Sequence, residues 1–535
     1  MRWHQQRLFA IEQRCGTICE LLGLPQSLDI RFVTNVLDRF AVGHDHNSDR
    51  AWTAVAYVLA QAFHCRVPTA AMAGSLRMAF EAGSVAAVHQ TLIQASEYQT
   101  SPQAAAPLVP GGSLAIDVTQ TTGVRYTSGI QRVVRSLAQH VRQLEPDAQL
   151  IRWANRARCF TPLTAADIEQ LLEAEPLPSN SRLRSRSPGA RVLRQIGRAA
   201  SWPTRRIKRS LQRYSMKARQ RRSSEPSVFL WDKSLLVPEL VVEASHIEAI
   251  RFVCNATPLR STMVFFDAIP IRYPEFFDPV IHSTYLRSLS LARDMDAVSC
   301  ISRTARNQLE NLLAMMPRRW QPLVGVHYLG ADLPNRGAVE TATFDQLVVL
   351  CVGTVEPRKN QLRILRAMVA AQEAGADFTG VFAGYPGWLN SEFRSALATA
   401  LARGHSLLLH ESVTNAELRG LYQAAAFTIY ASLDEGFGLP IIESLRHGRP
   451  CITSDRGSMR EIADLTGGCL LIDPEDTADM ATAIAGLFEV PEDLARLTLE
   501  AEQAEWPDWR EYTEQLVRFA TRPAATLKIR QRPAA

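Results

Sequence analysis

The chain has 535 residues, 46% of them hydrophobic and 21% charged, with a formal net charge of +5. That length exceeds what one hydrophobic core supports, so two or three domains are expected, and the composition is that of a globular rather than a disordered or fibrous protein. No apolar run approaches the roughly 18 residues that a membrane span requires. The 9 cysteines, an odd number with no Cys-x-x-Cys pair, argue against a disulfide framework. The opening residues lack a signal-peptide core, and a reducing cytoplasm is the expected setting.

Residues 1 to about 105 carry helical periodicity, as at 51–63 and 70–82, so a helical extension is expected there. Within it, His44, Asp45 and His46 crowd together at a spacing that matches no metal-ligand signature. An Ala-, Pro- and Gly-rich stretch at 103–112 reads as a linker. Residues 114–118 form the first expected strand. Gly129 then opens a helix whose apolar face is Ile130, Val133, Val134, Leu137 and Val141. At such a loop-to-helix junction, backbone N–H groups suit a phosphate or another ligand, although a plain tight turn fits Gly129 equally well. Further strands are expected at 150–153, 228–231, 263–266, 297–301 and 323–328. Asp267 directly follows one of them. It could orient a ligand hydroxyl or a neighbouring loop, or serve as a buried structural carboxylate.

A basic insertion interrupts this series at about 160–225. Residues 181–222 contain 15 Lys and Arg and no Asp or Glu, so subtracting them from the total of +5 leaves −10 for the remainder. Ile207, Leu211 and Tyr214 follow helical spacing, as do Val192, Ile196 and Ala199. A basic amphipathic segment of this kind suits an anionic membrane surface. A solvated linker is the competing reading, and nucleic acid is the least favoured partner.

A second strand-and-helix series begins near residue 346. Its first strand runs into Gly353 and Thr354, then Glu356, Pro357, Arg358 and Lys359, followed by a helix with Leu362, Leu365, Met368 and Val369 on one side. Arg358 and Lys359 thus stand at a strand-to-helix mouth, where open α/β sheets bind ligands. A planar fork beside a compact ammonium suits a diphosphate. Residues 425–433 form another strand, and 435–443 read EGFGLPIIE. Pro440 fits the first turn of the helix that follows. The N–H groups of Gly436, Phe437, Gly438 and Leu439 would face an anion with the helix dipole behind them. Glu435 would lie beside that anion, and Glu443, about one turn into the helix, could accept hydrogen bonds from ribose hydroxyls. Taken alone, the two acids also fit a solvated turn and a helix N-terminus. His447, just after this helix, reads as a complement to its dipole.

These segments resemble the retaining glycosyltransferases of family 4, which have the GT-B fold. The matching pieces are GTVEPRKN at 353–360, AGYPGW at 383–388, VTNAELRGLYQAA at 413–425 and EGFGLPIIESLRHGRPCITSD at 435–455. Upstream, IDVTQTTGVRYTSGIQRVVR at 116–135 and FFDAIPIRYPEFF at 265–277 are similar to the N-terminal half of those enzymes, particularly bacterial members that build surface polysaccharides. The likeness covers about 113–525 and leaves 1–105 and about 160–225 unexplained. It implies two doubly wound, Rossmann-like parallel-sheet domains facing a cleft, at 113–335 and 340–525. The final segment, 506–520, would pack back on the first of them.

The resemblance further implies transfer of a hexosyl group from a nucleotide-diphosphate sugar to a saccharide or lipid-linked saccharide. Glu435, Arg358 and Lys359 would be catalytic, and Glu443, Gly353, Thr354, Gly436, Phe437, Gly438 and Leu439 would bind the donor. Many family members carry a histidine where this chain has Phe266, so the donor sugar is not transferable. The chain has no Asp-x-Asp, and neither a metal nor a cofactor is expected. The location implied is cytoplasmic, peripheral to the inner membrane face. Alternatives within the fold are a non-catalytic nucleotide-sugar scaffold and a sugar-nucleotide epimerase or phosphorylase.

Overall fold

The computed structural model describes residues 2–27, 29–40, 49–82, 85–94, 108–124, 128–173, 226–277, 279–316, 321–332, 344, 346–411 and 413–522. The basic run 181–222 and the cluster at 44–46 lie outside the described residues.

Two parallel-stranded sheets organise the chain. The first contains β2 (Leu114–Asp117), β3 (Gln149–Ala154), β4 (Cys159–Pro162), β6 (Ser234–Val237), β7 (Arg260–Phe265), β8 (Ala297–Cys300) and β9 (Leu323–Val326), in the order β4-β3-β2-β6-β7-β8-β9. Every pairing is parallel except β3 with β4, a hairpin at the edge. The strand expected at 228–231 is instead β5 (Ser227–Phe229), which pairs with β1 (Leu108–Pro110) in a separate two-stranded sheet. Its place in the main sheet belongs to β6, between β2 and β7, a strand not expected from the sequence.

The second sheet contains β10 (Val348–Val352), β11 (Thr379–Gly384), β12 (Leu407–Glu411), β13 (Ala425–Tyr430), β14 (Cys451–Ser454) and β15 (Cys469–Ile472), in the order β12-β11-β10-β13-β14-β15. Its strands are apolar at successive positions because both faces are covered. Along β10, Val349 and Cys351 enter one core cluster and Val348 and Leu350 another, the alternation that a pleated strand imposes.

The first core is larger and continuous. It joins the N-terminal helices, through Ile18, Val55 and Leu59, to Ile116, Leu236 and Val264 of the first sheet. The last helix, Trp509–Thr521, returns from the second lobe and buries Trp509, Tyr512 and Leu516 in this same core. Arg260 Nη2 donates to Phe519 O at 3.1 Å, fastening it to β7. Among the described residues, no helix is long and apolar enough to cross a membrane.

Candidate functional site

The second sheet reverses its order between β10 and β13, which are therefore neighbours. Helix Gln361–Glu373, after β10, packs Ile364, Leu365 and Met368 into one cluster, whereas helix Leu439–Arg446 sends Ile441 and Ile442 into the core shared with the first lobe. Their divergence leaves a crevice at the strand ends. Pro357–Lys359 form a 3-10 turn, and Asn360 follows at φ +63°. Asparagine is one of the few residues that enter the left-handed region readily. Its Nδ2 donates to Ala431 O at 3.0 Å and Pro474 O at 2.6 Å, and Leu433 N donates to Arg358 O at 2.9 Å. Two turns far apart in sequence are thereby bound into one wall.

On that wall, Arg358 Nη1 lies 2.5 Å from Glu435 Oε2 and Lys359 Nζ lies 2.6 Å from Glu435 Oε1. Arg358 Nη2 also meets Glu356 Oε1 at 2.6 Å and its Nη1 donates to Asp434 O at 3.2 Å. The Tyr430 hydroxyl donates to Glu435 Oε1 at 2.8 Å and accepts from Lys359 Nζ, whose ammonium stands 4.8 Å from the Tyr430 ring centroid. Glu435 is 7% exposed and Glu356 5%. Burial pushes the Glu435 carboxyl up, but Arg358 and then Lys359 outweigh it and hold the group near about 2. Burial lowers the Lys359 ammonium, with Glu435 opposing. For Arg358 burial also works downward, yet Glu435 and Glu356 prevail and raise it.

The first lobe closes over this cluster. Asp267 follows β7, and its Oδ1 accepts the Ile269 N–H at 3.0 Å. Burial raises its carboxyl while Arg358 draws it back down, so Asp267 belongs to the same electrostatic group. A Cβ on Gly436 would stand 2.2 Å from Phe266 O, so only glycine admits this approach of the lobes. Ser302 Oγ donates to Gly436 O at 2.7 Å. Arg272 pairs with Asp434, whose carboxyl burial raises to about 6 against the pull of Arg272. Glu461 of the second lobe accepts the N–H groups of Arg303 and Thr304 at 2.7 and 2.9 Å, capping helix Arg303–Ala314 of the first. Arg132 reaches Glu443 Oε1, and the Tyr422 hydroxyl donates to Glu443 Oε2 at 2.9 Å.

Arg358, Lys359, Glu435, Gly436 and Asp267 therefore converge. Gly353, at φ +148°, lies beneath the Lys359 stem, and Thr354 O accepts Gln361 Nε2 at 2.8 Å. Gly438, at φ +134°, caps helix Leu439–Arg446. Among the described residues, the N–H groups of Gly436, Phe437, Gly438 and Leu439 meet no acceptor. The Phe437 ring packs in the apolar core, with ring centroids 5.8 Å from Trp506 and 6.5 Å from Tyr328, which leaves its backbone in the turn. One expectation needs correction. His447 is not a cationic helix cap: burial, Arg449 and Arg419 push it down to about 4, and it stacks neutral on Tyr422 at 5.1 Å. Gly129 stands apart from the cluster in open space, three residues before Arg132.

Sequence reading missed Glu356, Tyr430, Asn360, Asp434, Arg132 and Arg272. The two arginines lie inside the motifs at 116–135 and 265–277, but which carboxylates they meet is invisible without the lobes' arrangement.

Residues 339–504 match the model of the family described as glycosyl transferases group 1. Over 321 residues the chain is 27% identical to the serotype-specific mannosyltransferase WbdA of Escherichia coli, covering 55% of this chain and 38% of that protein. Over 88 residues it is 39% identical to the O-antigen chain mannosyltransferase RfbU of Salmonella typhimurium, covering 16% of this chain and 24% of that protein. The chain thus spans well under half the length of these curated relatives. Sucrose-phosphate synthase from Thermosynechococcus elongatus shares the fold, with a TM-score of 0.51 at 14% identity over 77% of this chain and 98% of that one. The two facing Rossmann-like lobes, with added N-terminal helices, are a GT-B arrangement. Residues 339–504 are a glycosyltransferase group 1 domain, and the chain is homologous to O-antigen mannosyltransferases.

Proposed function

We propose that this chain transfers a hexosyl group from a nucleotide-diphosphate sugar to a saccharide acceptor, with retention, in the assembly of a surface polysaccharide. The observation that carries the reading is the buried meeting of Arg358, Lys359 and Glu435 at the switch point of a group 1 domain. Transfer builds positive charge on the sugar and negative charge on the departing diphosphate. Arg358, Lys359 and the N–H groups of 436–439 would neutralise the diphosphate from fixed positions, which need little reorganisation in a dry crevice. No metal is needed in this scheme. Glu435 would bind sugar hydroxyls and lend negative potential to the anomeric carbon, Glu443 would hold the ribose, and the donor phosphate would take the acceptor proton. Asp267 would orient the acceptor from the opposite lobe.

A thermal-denaturation panel of nucleoside diphosphates and of their mannose and glucose derivatives tests donor binding. The right donor at a hundred times its Kd should add about 2.7 kcal/mol of stability. A panel with no stabilising member would remove the reading, and binding without transfer to any saccharide would leave a scaffold. Since the curated relatives are mannosyltransferases, nucleotide-mannose donors come first.

A lipid-linked acceptor and a peripheral location on an anionic membrane complete the proposal, supported by the 15 basic residues of 181–222. Each Lys or Arg near anionic lipid contributes about 1 kcal/mol. Deletion of 181–222 should abolish co-sedimentation with phosphatidylserine vesicles at physiological salt, and equal sedimentation of both forms would exclude this role.

A further inference from the structure

Arg132 lies in the first turn of helix Gly129–Leu144, where the helix dipole disfavours a cation. Local helix chemistry therefore does not explain an arginine there. Its guanidinium crosses instead to the second lobe and pairs with Glu443, whose other oxygen accepts from Tyr422. Both oxygens of the carboxylate assigned to the ribose are thus engaged within the protein. The Glu443 side chain is 10% exposed and that of Arg132 34%, so the arginine is the more accessible partner. Burial works against its charge, but Glu443 and Asp332 outweigh it and keep the guanidinium positive. It starts from the same helix end as Gly129, around which space is open.

We propose that Arg132 is an exchange residue: the ribose of a bound nucleoside diphosphate takes Glu443 from it, and the released guanidinium moves onto the phosphates. The proposal rests on the donor reading above. It has a signature that a purely structural ion pair lacks, because the two halves of the ligand report opposite effects. A nucleoside without phosphates competes with Arg132 for Glu443 and gains nothing in return. A nucleoside diphosphate recovers the arginine as a bidentate partner.

Titration calorimetry with uridine, guanosine and adenosine, and with their diphosphates, on wild type, Arg132→Gln and Arg132→Lys provides the test. For the base that wild type binds, Arg132→Gln should tighten the nucleoside about threefold or more and weaken the diphosphate about tenfold or more. Arg132→Lys keeps the charge, so it should leave the nucleoside weak and the diphosphate within about threefold of wild type. Affinities for both ligands that fall together or stay unchanged in Arg132→Gln, with wild-type melting, would overturn the exchange and leave the donor reading standing. A lysine variant that behaves like the glutamine one would also overturn it. Failure of the wild type to bind any of the three diphosphates would overturn both.

Discussion

Glu435→Gln is expected to lower sugar transfer by about a hundredfold or more and to destabilise the fold by about 3 kcal/mol near neutral pH. Glutamine keeps the shape of the side chain but removes the one charge that both Arg358 and Lys359 touch. The stability effect follows from titration. The carboxyl ionises near about 2 in the folded chain against an ordinary 4.5. Between those values the unfolded chain binds a proton that the folded chain does not, so stability rises with pH through this window. The contribution is complete above about 4.5 and is lost as pH falls toward 2. Urea denaturation of wild type and variant across pH 2 to 7 should therefore show two curves that converge on acidification. Parallel curves would mean that Glu435 is not the anion of this cluster. Near wild-type release of nucleoside diphosphate by a folded variant would take it out of the chemistry. Alanine is the poorer test, since it also opens a cavity beside two buried cations.

Arg358→Ala should be still more damaging, costing about 3–5 kcal/mol in denaturant titration and reducing transfer by at least two orders of magnitude. Its guanidinium serves Glu356, Glu435 and the Asp434 carbonyl at once. Removal leaves two carboxylates, 5% and 7% exposed, with one remaining cation between them. Arg358→Lys restores the charge but not the fork, and should recover stability before activity. Arg272→Ala is the internal comparison. Its side chain is 46% exposed and serves one carboxylate, that of Asp434. That carboxylate is itself 4% exposed, but burial raises it to about 6, so it can take up a proton when the arginine is removed, which makes the loss smaller than at 358. Equal losses at 358 and 272 would show that serving two carboxylates is not what makes the first site matter.

Much of this was readable in the chain. The turn at 353–360 was legible because a β-branched run ending at Gly353 and Thr354 and two adjacent cations are all local features. The same is true of 435–443, where the chain leaves a strand, turns at glycine and opens a helix at Pro440. The helix beginning at Gly129 was equally plain from its apolar spacing. β6 is the strand that local reading misses: it is no shorter than β2 or β8, but its place between β2 and β7 is fixed by partners far along the chain. The packing of the Phe437 ring on Trp506 and Tyr328 is non-local in the same way.

By itself, the amino-acid order determined the two kinds of periodic segment, the chemistry at each strand-to-helix mouth and the concentration of positive charge in one insertion. These depend on residues a few positions apart, whose geometry the backbone dictates. Only the tertiary structure decided that Glu435 lies between Arg358 and Lys359, that Tyr430 and Glu356 complete the cluster, and that Arg132 and Arg272 reach across to Glu443 and Asp434. Those contacts arise from strand order and from how one lobe sits on the other. A charge selects its partner by distance and burial, and neither is encoded by spacing along the chain.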